Sequence, residues 1–142
     1  MATRSTIAIQ NSDGTVTGIY CHWDGYLSNN GKILQEKYIT EETVRKLIAL
    51  GDLSSLGDTI GVQVDFNDSD SHYGQCVAYG RDRGEQDVDA KTCESWDRFV
   101  DDFGQEYNYV FVPGVGWKVK FFDNWDSKEM SLVEALAMEA EN

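Results

Sequence analysis

Two stretches of strict alternation, turned back on each other by a short polar segment, open the chain and fix what it can become. In "STIAIQ", residues 5 to 10, Ile7 and Ile9 fall on one face of an extended strand. "NSDGT" follows, and its Asp13-Gly14 pair suits the left-handed conformations that tight hairpin turns require. Residues 15 to 23 then supply the return strand, with Ile19, Cys21 and Trp23 on one face and Val16, Tyr20 and His22 on the other. An isolated hairpin is marginal in water, so the remaining chain must bury its apolar side.

The rest of the pattern alternates between the two periodicities. Residues 29 to 38 read as a short helix with Ile33, Leu34 and Tyr38 inward. Thr40 is placed to cap a second helix, with Glu41 and Glu42 in its first turn, Val44, Leu47 and Ile48 as its buried stripe, and Gly51 as its stop. "TIGVQVDF" predicts a strand with Ile60, Val62, Val64 and Phe66 alternating, and "QCVAYGR" a second one beyond the polar loop "NDSDSHYG". After the polar excursion "DRGEQDVDAK", Thr92 is expected to cap a helix over residues 93 to 103. There Trp96, Phe99, Val100 and Phe103 recur at i, i+3, i+4 and i+7, and Gly104 ends the run. "YNYVFV" and "GWKVKFF" flank "PGVG" and predict a hairpin over residues 107 to 122. Ser131 and Glu134 make a capping box for a final helix. The order ββααββαββα gives a single α+β domain over residues 1 to 142, an antiparallel sheet with helices packed mainly on one face.

Bulk properties narrow the class. Apolar residues make up 41% and aromatics 12%, enough for a packed core, and Pro113 is the single proline. No apolar run reaches the ~18 residues that suggest a membrane span, and the N-terminus lacks the apolar region of a signal peptide. The expectation is a soluble, intracellular protein. Three cysteines, an odd number, fit a reducing compartment. The formal net charge of -13 repels nucleic acid and anionic membrane and steers basic partners inward.

Chemistry-bearing residues are few and poorly spaced for catalysis. Cys21, His22, His72, Cys76 and Cys93 are the nitrogen and sulfur donors, yet none stands in a CxxC or HxxxH pair. Asp65, Asp68 and Asp70 crowd one loop without the glycine and glutamate of an EF-hand. Cys21 and His22 are adjacent on a strand and point to opposite faces, so they cannot act as nucleophile and base. Neither "GDLSSLG" nor "PGVG" follows a phosphate-binding or dinucleotide pattern. No cofactor or metal is expected, and no catalytic motif is recognisable. In "HWDGY", Trp23 continues the core face, Asp24-Gly25 makes a turn in which Asp24 accepts bonds from backbone amides, and Tyr26 packs back. Asn29, Asn30 and Gly31 tolerate left-handed conformations before the helix. His22, Asp24 and Tyr26 form a secondary candidate site. The alternative to a binding protein is a small metal protein or enzyme centred on His22, Asp24, His72 and Cys76.

Charge distribution is the stronger signal. Eleven acids and four bases lie between Asp65 and Asp102, a net of -7. The candidate binding face comprises Asp82, Glu85, Asp87, Asp89, Glu94, Asp97, Asp101 and Asp102, with the last four opposing the aromatic stripe of the helix. Such a ridge is either a solvated face or an imitation of a phosphate backbone, which carries one charge per ~1.7 Å of duplex axis.

"MATRSTIAIQNSDGTVTGIYCHWDGYLSNNGKIL" resembles the N-terminus of small, uncharacterised acidic proteins encoded by bacteriophages and prophages, most clearly in "YCHWDGY". The likeness covers the first quarter to third of the chain and carries over no catalytic residue. It implies a bacterial cytoplasmic setting and an accessory role, binding and inhibiting a host nuclease, restriction enzyme or other defence complex. The resulting expectation is a non-enzymatic protein whose acidic face engages the basic surface of a host nucleic-acid-handling or defence protein. Neither direct nucleic-acid binding nor membrane contact is expected, and the aromatic surplus leaves self-association open.

Overall fold

The computed structural model describes residues 3–63, 65–68, 72, 74–121 and 129–140. It is an α+β fold built on one eight-stranded mixed sheet. Strand β1 (Ser5–Gln10) pairs antiparallel with β2 (Val16–Cys21), in the register Ser5 opposite Cys21 through Gln10 opposite Val16. On its other side β1 pairs parallel with β6 (Tyr107–Val112), which turns through 113–115 into β7 (Gly116–Phe121). Strand β8 (Glu129–Ser131) closes that edge. Beyond β2 lie β3 (Leu53–Ser55) and then β4 (Val77–Ala78), while β5 (Lys91–Cys93) also pairs with β2.

Every residue from Ser5 to Ile9 is buried, because β1 is covered on both faces. On one face, Ile7, Ile9, Ile19 and Cys21 meet three helices and their flanks. These are α1 (Lys32–Lys37), entered through a π-helical turn at Leu27–Gly31, α2 (Glu41–Ile48) and α5 (Leu132–Ala140). Their inward side chains are Leu34, Tyr38, Val44, Leu47, Ile48, Leu132 and Ala135; the large aliphatic ones each contribute roughly 1.5–3 kcal/mol on leaving water. The opposite face carries Ala8, Val16 and Val110, and α4 (Trp96–Phe103) covers them with Trp96, Phe99 and Val100. The helix is short. Eight residues span about 12 Å along a helix axis, whereas a six-residue strand extends about 20 Å. One end of this second face is therefore left to polar groups, among them Thr6, whose hydroxyl donates to Asn108 Oδ1 at 2.8 Å.

Several expected elements hold and several move. The opening hairpin, the Thr40 cap, the buried stripe of α2 and the second hairpin all appear; the Thr43 amide donates to Thr40 Oγ1 at 3.2 Å. The helix expected from residue 93 starts at Trp96 instead. Ser95 caps it, accepting from the Arg98 amide, because Thr92 is committed to β5 and bonds Thr17 across the pair. Among the described residues of 59 to 66 the expected strand does not form: an isolated bridge joins Thr59 to Gln75 and Val62 is 71% exposed, while Val64 lies outside the described residues. The strand sits at Leu53–Ser55 instead, a run too short for alternation to reveal. The strand expected over 75 to 81 shrinks to Val77–Ala78. There the Asp82 carboxylate accepts the Ala78 amide at 2.7 Å and turns the chain into α3 (Tyr79–Arg83). The sheet is also not wholly antiparallel, since β1–β6 and β2–β3 run parallel.

Packing of α4 onto the sheet depends on Gly18. A Cβ there would lie 2.6 Å from Phe99 Cζ and 2.8 Å from Ala8 Cβ. Gly18→Ala should therefore destabilise by about 1–3 kcal/mol, and Phe99→Ala by about 3–5 kcal/mol. In the double variant the glycine substitution should cost less than alone, relieved of Phe99 but not of Ala8. Urea unfolding of the four proteins measures the coupling, and strict additivity would contradict this packing.

Candidate functional site

The outer edge of β2 is split between two partners. Its first half pairs with β5, ending at Gly18 opposite Lys91, and its last residue, Cys21, pairs with Leu53 of β3. Past that point the His22 and Trp23 amides donate to the Leu53 and Ser54 carbonyls. Neither strand supplies an acceptor at the gap. The Tyr20 amide is satisfied instead by Asp52, whose Oδ1 accepts it at 3.0 Å. A side chain here performs the work of a missing strand, because an unpaired half-buried amide is costly. Asp52 is anchored in turn through its own amide, which donates to the Val88 carbonyl at 2.7 Å.

Where this gap meets the C-terminal end of α4, a cleft of about 230 Å³ opens. Gly18, Ile19, Tyr20 and Thr6 contribute from the sheet, Phe99, Asp102, Phe103 and Gln105 from the helix side, and Asp52 and Lys91 from the split edge. Burial is the main influence on Asp52 and raises its carboxyl above the ordinary value of 3.8. The Tyr20 amide and Lys91 oppose that rise, and Glu85 and Asp89 add to it. Burial likewise lifts the Tyr20 phenol. Phe103, expected in the core, is 38% exposed here at the last residue of α4.

The acidic residues separate into different roles. Asp82 leaves the expected face altogether: it is buried, pairs with Arg81 at 3.0 Å and holds the Ala78 amide. Glu85, Asp87 and Asp89 stand exposed on the loop leading into β5. Glu94, Asp97, Asp101 and Asp102 are exposed on and before α4. Of these, Asp97 pairs with Lys120 at 3.2 Å and Asp102 with Arg98 at 3.1 Å. Between residues 84 and 106 the chain holds eight acids and two bases, all exposed.

The "YCHWDGY" residues divide across the sheet. Cys21 is fully buried beside Asn30, and burial pushes its thiol up to about 12. The Tyr20 hydroxyl and His22 Nδ1 share a 2.7 Å hydrogen bond on the opposite face. Trp23, expected in the core, is 44% exposed and stands edge-on to His22 with ring centroids 4.7 Å apart, because β2 ends at Cys21 and Trp23 lies in the bend beyond it. Asp24 adopts φ 56, and its backbone carbonyl, rather than its carboxylate, takes the bonds from Asn29 Nδ2 and the Asn30 amide. Gly25 is buried against Ser5, and its carbonyl accepts the Tyr109 hydroxyl at 2.6 Å. Tyr26 is exposed and leads into the π-helical turn, which places Asn29 to Gly31 in right-handed and not left-handed backbone.

The alternative centre is not assembled. Cys76 is buried with the Tyr38 hydroxyl at 3.4 Å, His72 Nε2 bonds the Asp65 carbonyl, and Asp24 is exposed in its turn. Among the described residues no three His, Cys, Asp or Glu side chains are grouped to hold a metal ion. Asp70 lies outside the described residues. Asp52 is the residue that sequence reasoning passed over. It sits in "GDLSSLG", which matches no phosphate-loop pattern, and no local pattern marks a carboxylate that will cap a distant strand.

Compared with protein-family models, curated proteins and solved structures, the chain gives no match.

Two outcomes follow from these environments. An ionised Asp52 is disfavoured by folding, because its native carboxyl holds the proton more tightly than the unfolded one. The penalty is complete above the raised native value and absent below 3.8. Asp52→Asn, which keeps an oxygen for the Tyr20 amide, should therefore be more stable than wild type at neutral pH. That advantage should vanish on acidification, as thermal melts across pH would show. The three thiols are free. An aromatic disulfide reagent should modify only Cys93 in the native protein, slowly because partial burial raises its thiol, and all three after unfolding.

Proposed function

We propose that this chain is a non-enzymatic acidic accessory protein that binds a basic surface of a nucleic-acid-handling or defence protein of a bacterial host and competes there with nucleic acid. The observation that carries the reading is the run between residues 84 and 106, where eight carboxylates and two bases are all exposed on a strand, a helix and the loops joining them. Strand β5 and helix α4 are fixed to β2 by backbone pairing and by Phe99, so the charges are held on a packed frame. On the helix, Asp97 and Asp101 are i,i+4 neighbours, about 5–6 Å apart at their β-carbons. Like charges at that spacing destabilise a helix slightly, and a cationic partner would relieve them. The phage setting and the bacterial cytoplasm rest on the likeness of the opening sequence alone. Among the described residues no helix is long and apolar enough to cross a membrane.

The side chains of Glu85, Glu94 and Asp101 make no ion pair among the described residues, so reversing them breaks none, although Glu85→Lys also reverses a charge that bears on Asp52. The triple change to lysine should melt as wild type does, within a few tenths of a kcal/mol for each helix-dipole or neighbour effect. Its affinity for a partner isolated from host cells should fall at least about tenfold, chiefly through slower association. Wild-type binding should itself weaken steeply with salt, and nucleic acid should compete for the partner. Equal binding by both proteins with no response to salt would leave the run as a solvated face.

A further inference from the structure

We infer that the cleft between the end of α4 and the split edge of β2 receives one lysine or arginine side chain of the basic partner, an inference that rests on the function proposed above and adds the point at which the partner is gripped. Its size suits a side chain: about 230 Å³ is below the range of drug-sized ligand pockets. Its lining is amphipathic in the same sense as those two residues. Phe103, 38% exposed, offers apolar surface to a methylene stem above the buried Phe99, and Gly18 contributes no side chain to fill the space.

Asp52 provides the charge. Its Oδ1 is held by the Tyr20 amide, while Oδ2 has no partner among the described residues. Asp102 also lines the cleft, with its Oδ2 engaged by Arg98 at 3.1 Å. Lys91 is the one base among the lining residues, yet its Nζ donates to the Asp89 carbonyl at 3.1 Å and forms no ion pair among the described residues. Glu85 and Asp89 bear on Asp52 from the preceding loop. The surroundings thus keep an anionic carboxylate under strain that an incoming cation relieves. Binding should weaken as pH falls through the raised range of Asp52, since the protonated acid offers no charge.

The test uses the full chain and small probes, N-acetyl-arginine methylamide and N-acetyl-lysine methylamide, with the norleucine analogue as a neutral control. In amide-resolved NMR titrations at least one cationic probe should saturate, at millimolar strength, with shifts concentrated at Tyr20, Lys91 and Phe103. The norleucine probe should not bind. Asp52→Asn should weaken the cationic probe about tenfold. Phe103→Ala should weaken it too, whereas Lys91→Gln should tighten it. Spectral dispersion verifies that each variant is folded. Shifts scattered over the exposed carboxylates without saturation, equal binding of norleucine, or affinity untouched by Asp52→Asn would each overturn the inference. The probes contain no macromolecular surface, so such a result is separable from failure of the acidic-face reading. Partner binding that responds to salt and to the triple reversal but not to Asp52→Asn would sink the cleft and leave that reading standing.

Discussion

The burial of β1 on both faces is the constraint on which the remaining architecture depends. A strand with Ile7 and Ile9 on one side and Ala8 on the other needs a layer against each. Helices α1, α2 and α5 form the thicker layer. Helix α4 forms the thinner one, and its eight residues cover only part of the strand length beneath. The aromatic stripe is placed over Ala8, Val16 and Gly18, where small groups admit it. Beyond the helix polar groups replace apolar side chains: Thr6 and Asn108 are buried and bonded to each other, Gln105 bonds Asn108 from the chain after α4, and Tyr20 and His22 are half-buried.

The same shortage of cover produces the site. An edge served by two short strands leaves a backbone amide between them, and Asp52 fills that need with a carboxylate oxygen. The arrangement is paid for in desolvation, visible in the raised carboxyl of Asp52. A neutral asparagine would satisfy the Tyr20 amide equally well. What distinguishes aspartate is the charge it presents to the cleft, the charge on which the proposed cation contact depends.

Asp82 and Asp52 show why acidic composition is a poor map of an acidic surface. The polar sequence around Asp82 places it among the exposed acids, yet it is buried as a structural clamp between Ala78 and Arg81. Asp52, far away in sequence from the acidic run, is brought beside Glu85, Asp89 and Asp102 by the pairing of β3 and β5 with the same strand. The ion pairs Asp97–Lys120 and Arg98–Asp102 further thin the ridge, though exposed pairs of this kind contribute little to stability.

Local periodicity by itself determined the two hairpins, the cap and stripe of α2, the aromatic face of α4 and the α+β class, because each of these is written within one turn or one strand length. It also separated Cys21 from His22, since alternation along a strand needs no tertiary information. It could not find β3 or β5, whose three residues carry no period, and it drew β4 too long. Nor could it find the start of α4, where Thr92 and Ser95 are both competent caps and only the pairing of β5 with β2 decides between them. Spacing fits Trp23 and Phe103 to the core, yet Trp23 falls beyond the end of β2 and Phe103 at the last residue of α4. The cleft and Asp52's role in it were decided by tertiary structure alone. A gap between two strands on one edge is a property of their pairing, and the residue that closes it lies 32 positions from the amide it satisfies.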